Sequence, residues 1–174
     1  MARLRKAIAY RRIERPYTRK SKYNELSYIK GAPRCIITKF DMGNAKESFQ
    51  YHVELIATEP HQIRQNAIEA ARKSILRNLE KRMPKDAFHF KIMKYPHHVL
   101  RENPLATGAG ADRLSKGMKL SFGKPIGLAI QVWPNDVIFR IRVNEEYLEI
   151  ARNALRIGKA KLPLSYKIRV IKVE

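Results

Sequence analysis

The chain predicts an α+β fold, a single domain with a largely antiparallel sheet and two main helices, on three observations. Short runs of alternating apolar and polar residues recur along it, two stretches repeat apolar residues at helical spacing, and the order of these elements suits antiparallel pairing. At 174 residues with 44% hydrophobic content the chain can bury one core. Composition does not shift anywhere in a way that marks a second domain, and there are no internal repeats.

The first element is an arm. Residues 1–22 hold nine basic residues (Arg3, Arg5, Lys6, Arg11, Arg12, Arg15, Arg19, Lys20 and Lys22) against Glu14 alone, with Tyr10, Tyr17, Tyr23 and Tyr28 interleaved or close behind. Plain disordered tails tend to lack aromatics. Arginine pairs with phosphates bidentately, and both arginine and tyrosine stack on unpaired bases. The segment reads as an arm that orders on structured RNA, a solvated basic tail being the competing reading. It has no apolar stretch of the signal-peptide kind, so secretion is not expected, and its tyrosines argue against a transit peptide.

A strand is predicted over Arg34 to Phe40, followed by turn chemistry at Asp41-Met42-Gly43-Asn44 and a second strand from Phe49 to Ala57. In the latter, Phe49, Tyr51, Val53 and Leu55 share a face opposite Gln50, His52 and Glu54. The first helix is predicted to begin at Thr58 to Pro60, with Thr58 as cap, and to end before Pro84. Ile68, Ala71, Ile75 and Leu79 form its apolar stripe. Arg64, Arg72, Lys73, Arg77, Lys81 and Arg82 occupy much of the rest, as a solvated face or as an RNA contact. Phe88, Phe90 and Ile92 alternate in the next strand.

Beyond the loop discussed below, Gly127 to Trp133 and Val137 to Val143 flank Pro134-Asn135-Asp136 and are predicted to form a hairpin. Arg140 and Arg142 point away from the face lined by Val137, Phe139, Ile141 and Val143. Lys167 and Arg169 do the same in the last strand, opposite Tyr166, Ile168 and Val170, so the outer faces offer a basic platform, or simply an ordinary polar face. The second helix is predicted from Asn144 as N-cap to Gly158 as C-terminal stop, with Tyr147, Leu148, Ala151 and Leu155 packing.

The longest departure from regular pattern is Leu100 to Pro125. It holds four of the eight glycines (Gly108, Gly110, Gly117 and Gly123) and five basic residues against two acids. Structureless loops beyond roughly 12 to 15 residues are uncommon in compact domains unless functional or disordered. The charge of the whole chain says what such a loop would touch: 36 Lys and Arg against 16 Asp and Glu give +20 at pH 7. That balance favours a polyanion bound through many phosphate contacts. A membrane surface is the weaker alternative, since the basic residues are not gathered beside one apolar helix face and no run approaches the roughly 18 apolar residues of a span.

Catalytic motifs fail on inspection. In GAGADR, Arg113 stands where a dinucleotide fold needs its third glycine. Gly123-Lys124-Pro125 resembles the end of a P-loop, but Pro125 replaces the Mg²⁺-holding Ser or Thr, and Met118 replaces the upstream glycine. Adjacent His97 and His98 do not share a strand face, and the single cysteine, Cys35, offers no zinc-like cluster and excludes an internal disulfide. Asp112 beside Arg113 reads as local pairing that shapes the loop. No enzyme activity, cofactor, metal site or homo-oligomer is expected, and one packed thiol fits a reducing cytoplasm.

Several strings carry a resemblance: the basic start with Arg-Pro-Tyr, IKGAPRCIITKFDMGN, EAARKSILRNLEK, FHFKIMKYPHHVLREN and above all GAGADRLSKGMKLSFGKPIGLA. In this order, and over essentially the whole chain, they resemble the L-ten-e family of large-subunit ribosomal proteins, the archaeal and eukaryotic counterpart of bacterial L-sixteen. The resemblance implies an α/β-hammerhead domain bound to large-subunit rRNA beside neighbouring ribosomal proteins, in the cytoplasm, near the site where aminoacyl-tRNA is accommodated. It also implies that the segment Arg101 to Gly117 reaches toward the peptidyl-transferase region and A-site tRNA, and that late incorporation brings contact with ribosome maturation factors. The stop at Glu174, short of the eukaryotic C-terminal extension, implies an archaeal-type member. A free RNA-binding chaperone or modification factor is the competing reading.

Combining residues and resemblance, the nine basic residues of the arm, with Arg140 and Arg142, are expected to anchor the protein on rRNA phosphates. In the loop, Gly108 and Gly110 are expected to allow φ > 0 or close backbone approach. Arg101, Arg113, Lys116, Lys119 and Lys124 are expected to hold rRNA near the tRNA. Deleting residues 101–117 is expected to leave the fold intact.

Overall fold

In the computed structural model, residues 5–18, 21–29, 31, 33–103, 108–114 and 122–173 are described, without the side chains of Asp112 and Leu114. The α+β reading holds: every strand pairing is antiparallel, and two long helices cover one side. The strands divide into two sheets. The larger joins β1 (Asp41–Gly43), β4 (Phe88–Ile92), β7 (Val137–Val143), β2 (Tyr51–Ala57) and β8 (Tyr166–Lys172) in the order β1-β4-β7-β2-β8. The smaller joins β3 (His61–Arg64), β6 (Lys124–Val132) and β5 (His98–Glu102) in the order β3-β6-β5.

Helix α1 (Gln65–Arg82) and helix α3 (Leu148–Lys159) bury their apolar stripes against the large sheet. Ile68, Ala71, Ile75 and Leu79 are fully buried as their spacing predicts, together with Val53, Leu55, Phe90, Phe139 and Ile141 from the strands. Each such side chain contributes about 1.5–3 kcal/mol by leaving water, so this layer dominates stability. Gly158 lets the helices approach: a Cβ there would lie 2.4 Å from Ile75 Cδ1. It is a buried crossing point inside α3, and the helix continues to Lys159, so its predicted role as a stop is corrected.

Other local expectations are corrected by long-range pairing. Residues 34–40 form no strand; the edge strand is Asp41–Gly43, where turn chemistry was expected, because its backbone pairs with β4. Thr58 caps no helix, since its hydroxyl donates to Ser165 O at 2.8 Å and the chain makes β3 before α1 begins at Gln65. Pro134-Asn135-Asp136 does form a tight turn, with Asn135 at φ 70°, but its flanking strands enter different sheets, so no hairpin forms. Arg72 leaves the solvated face of α1: it is buried and paired to Glu69 at 2.6 Å.

Candidate nucleic-acid interface

The small sheet explains the N-terminal arm. Its inner face gives Ile63, Ile130 and Val132 to the core, and the alternate positions Gln62, Gln131 and His98 read locally as a polar solvent face. They are instead only 3%, 8% and 2% exposed, because the arm lies across them. Gln62 N donates to Arg11 O at 3.0 Å and its side-chain amide to Arg12 O. The Gln131 amide donates to Glu14 O at 2.7 Å and to Gln62 Oε1 at 3.1 Å. Tyr17 N donates to His98 Nδ1 at 2.8 Å, and Val99 N to Tyr17 O at 3.1 Å. The arm thus crosses from the β3 edge to the β5 edge on hydrogen bonds to its backbone, which leaves the side chains of Arg12, Glu14 and Arg15 exposed while Arg11 and Tyr17 pack inward.

Tyr17 N–H needs a bare nitrogen lone pair, so His98 is neutral. Burial lowers its pKa, more than the Glu14 carboxylate raises it, with His97 and Arg101 adding to the lowering. On the other side of the sheet, His61 is also held below the ordinary imidazole value, chiefly by burial. It sits between Glu59 O at 2.7 Å and the buried Tyr166 hydroxyl at 2.6 Å. Both histidines are structural, and among the described residues no group of three or more His, Cys, Asp or Glu could hold a metal.

Of the predicted arm residues, Lys6, Arg12, Arg15 and Lys22 are exposed, Lys22 with its ammonium 5.1 Å from the Tyr23 ring centre. Arg5 is exposed but committed to Glu102 at 2.8 Å, and its carbonyl accepts from Arg64 Nη1 at 2.9 Å. Arg11 is half-buried. Arg3, Arg19, Lys20, Lys116 and Lys119 lie outside the described residues, as does the Asp112 side chain of the expected pairing with Arg113.

The loop is shorter than its sequence reads. Arg101 pairs with Pro125 and Glu102 with Lys124, so both ends belong to the β5-β6 ladder and the excursion is 103–123. Arg101 is a clamp: its guanidinium lies 3.7 Å from the Tyr17 ring centre and 4.4 Å from that of Phe122, and Nη1 donates to Phe122 O at 2.7 Å. Tyr17 and Phe122 meet edge-to-face at 4.9 Å. Arg101 therefore ties both ends of the loop to the arm rather than reaching out. Gly123, at φ +85°, passes so close to β5 that a Cβ would stand 3.0 Å from Glu102 C. Gly108 and Gly110 adopt φ +118° and +83° as expected, with nothing among the described residues within 4 Å of a Cβ, beside the short helix α2 (Ala111–Leu114) on which Arg113 is exposed. Between arm and loop base lies a cleft of about 310 Å³ bordered by Tyr10, Glu14, Gln62, His98 and Arg101.

The outer face of the large sheet carries the third basic group. Registered side by side across five strands are Asp41, Lys91, Arg140, Glu54 and Arg169. Glu54 is 1% exposed, accepting from Arg140 Nε and Arg169 Nη2 at 2.8 Å each. Burial would raise its pKa, but those two guanidiniums outweigh burial and hold it below the ordinary carboxylate value. The next row places Arg142 between His89 and His52, both lowered by burial and by Arg142. Arg142 Nε and His89 Nδ1 are buried with no hydrogen-bond partner. Arg140 is thus fixed by an acid the sequence placed on the same face, and Arg142 is flanked by two histidines, of which His89 also meets Asp41 Oδ1 at 3.2 Å.

Comparison with known proteins places these features in one family. The profile described as ribosomal protein L16p/L10e matches residues 13–169. The chain is 47% identical over 156 residues to the large ribosomal subunit protein uL16 of Hyperthermus butylicus, covering 90% of this chain and 83% of that protein. It is 45% identical over 170 residues to uL16 of Sulfolobus acidocaldarius (96% and 93% covered) and 44% identical over 167 residues to uL16 of Thermoplasma acidophilum (95% and 92%).

Proposed function

From the premise that the chain belongs to the ribosomal protein L16p/L10e family, and so is a non-enzymatic constituent of the large ribosomal subunit, we propose that it binds rRNA through the strapped basic arm and the outer face of the large sheet and supports A-site tRNA positioning through the 103–123 loop. The observation that carries this reading is the strapped arm. Because Gln62, Gln131 and His98 hold its backbone, Lys6, Arg12 and Arg15 present charge without the full ordering cost of a free tail. Such contacts set register and orientation on RNA. Arg142 on the outer sheet face and Lys22 beyond the arm add further basic contacts, while Arg140 meets RNA only with the donors Glu54 leaves open.

The Arg101 clamp joins arm and loop, so rRNA bound at the arm fixes the direction in which Arg113 and the glycine tip project. This coupling is what a protein needs to hold RNA in the geometry a tRNA requires, with the chemistry left to RNA. The same projecting tip suits a contact for maturation factors.

The test is a crosslink map on intact subunits. Stoichiometric co-sedimentation with large subunits after a salt wash, with rRNA crosslinks from Arg12, Arg15 and Arg142 and tRNA-proximal crosslinks from the loop, is the expected result. Crosslinks from the loop to ribosomal protein alone would sink the tRNA part of the proposal.

A further inference from the structure

Two connections carry the chain between the sheets, residues 93–97 from β4 into β5 and residues 133–136 from β6 into β7, and they run side by side. Met93 N donates to Ile138 O at 2.9 Å, and Lys94 Nζ meets Asp136 Oδ1 at 2.8 Å. The second connection is rigid. Trp133 N donates to Asp136 Oδ2 at 2.9 Å, Asp136 N to Trp133 O at 3.1 Å, and Asn135 N to Ala57 O at 3.0 Å. Pro134 restricts the backbone between them. On this fixed turn Trp133, the only tryptophan in the chain, is 56% exposed. Tyr95 on the neighbouring connection is 62% exposed and held by stacking on Phe40 at 5.5 Å.

A lone exposed apolar side chain needs no explanation. An exposed indole on a fixed turn, with a second exposed aromatic on the adjoining connection, a lysine bridging the two connections and +20 on the chain, is a different arrangement. Every nucleobase has a π face, base-on-aromatic stacking is strong and tolerant of sequence, and a ring carried on a fixed backbone has only its side-chain torsions to lose when a base lands on it. Lys94 has three donors and Asp136 takes one, so the others remain for a phosphate on the same nucleotide. We propose that Trp133, supported by Tyr95 and Lys94, is a stacking platform for an unpaired rRNA base, a contact separate from the arm, loop and outer sheet face. The inference rests on the rRNA-binding reading above.

Trp133 reports on itself, since no other indole contributes to the emission. The full chain is titrated at fixed salt with a large-subunit rRNA transcript, with a short single-stranded oligoribonucleotide, and with the same oligonucleotide as a blunt duplex. Quenching by the transcript and the single strand but not by the duplex is expected. Trp133→Ala is expected to weaken transcript binding by about fivefold or more, with the salt slope unchanged, and Trp133→Phe to keep most of the affinity. Transcript binding with unchanged Trp133 emission, or Trp133→Ala binding as tightly as the parent, overturns the platform while leaving rRNA binding standing. Emission that responds only to an added large-subunit protein also overturns it, and failure to bind any RNA overturns both readings together.

Discussion

The arm and the loop look alike as sequence, both basic and without helical or alternating pattern, yet the protein holds them in opposite ways. The arm is fixed along its backbone, where Arg11, Arg12, Glu14 and Tyr17 accept or donate to buried groups of the small sheet. The loop is fixed at its base, by the Arg101 clamp and the close passage of Gly123, while among the described residues nothing packs against Gly108 and Gly110 at the tip. A segment held along its length presents side chains at set positions, whereas a segment held at its root presents a direction. The first suits anchoring on phosphates and the second suits reaching toward a ligand that comes and goes.

The most severe way to break this comparison is to turn the arm into a free tail. Replacing Gln62 and Gln131 together by leucine leaves Arg12 O and Glu14 O facing apolar groups, at about 1–3 kcal/mol for each unsatisfied carbonyl. The arm escapes part of that cost by lifting into water, and the two amides touch each other, so their effects do not add. A loss of about 2–4 kcal/mol in urea unfolding is expected, with rapid tryptic cleavage after Arg11 and Arg12. Cleavage at the parent's rate would mean that the arm is held elsewhere.

That strap also marks the limit of what the sequence makes legible. The α1 stripe is readable because Ile68, Ala71, Ile75 and Leu79 encode their burial by local spacing. Gln62 and Gln131 are 69 residues apart, and an alternating polar position on a strand carries no mark that distinguishes water from another segment of chain. The turn at Pro134-Asn135-Asp136 was legible as a turn, but which sheet each flanking strand joins depends on partners far away. Arg101 reads in the sequence as an arginine that holds rRNA and not as a clamp, because its partners Tyr17 and Phe122 come from both directions along the chain. The family strings were legible from the start, since they depend on residue identity and not on pairing.

Arg101→Ala attacks the joint between the two regions. It removes a hydrogen bond and a cation held between two rings, for a loss of about 2 kcal/mol. Arg101→Lys does not restore it, since an ammonium lacks the planar face and the fork that reach Tyr17, Phe122 and Phe122 O together. Arm and loop are both expected to respond, seen as faster hydrogen exchange at Val99 N and around Phe122. Exchange that changes at one site alone would show that the two regions are not coupled.

His98 sharpens the comparison by making the arm pH-sensitive where the loop is not. Its pKa is lower folded than unfolded, so the unfolded chain takes up a proton first as pH falls through about 6.5. Stability is full above that pH and is lost below it, down to the folded-state value, at up to about 1.4 kcal/mol per pH unit for one proton. His61, His52 and His89 shift in the same direction and add to the slope. His98→Asn keeps an acceptor for Tyr17 N–H but cannot titrate, so unfolding free energies measured from pH 7.5 to 5 (about the range that the unfolded value brackets) should flatten by one proton. An unaltered slope would mean that His98 is charged in the folded protein.

The smallest expected effect comes from removing the loop tip. Deletion of 101–117, which the bare sequence suggests, would take Arg101 and Glu102 out of β5 and with them the clamp and the Arg5 ion pair, so it would damage the arm as well. Replacing 104–120 by a short Gly-Ser linker spares the ladder residues Arg101, Glu102, Lys124 and Pro125 together with Phe122 and Gly123. Among the described residues of this stretch, Gly108, Ala109, Gly110 and Arg113 are exposed, and none belongs to the two buried clusters. The unfolding free energy is therefore expected to change by no more than about 0.5 kcal/mol, and arm exchange and rRNA affinity through Lys6, Arg12 and Arg15 to stay near the parent's. Subunits carrying the shortened loop should then fail in tRNA accommodation while retaining the protein, which separates reaching from anchoring. A fall in Tm comparable to that of Arg101→Ala would place the tip within the clamped structure, and the distinction between a segment held along its length and one held at its root would no longer stand.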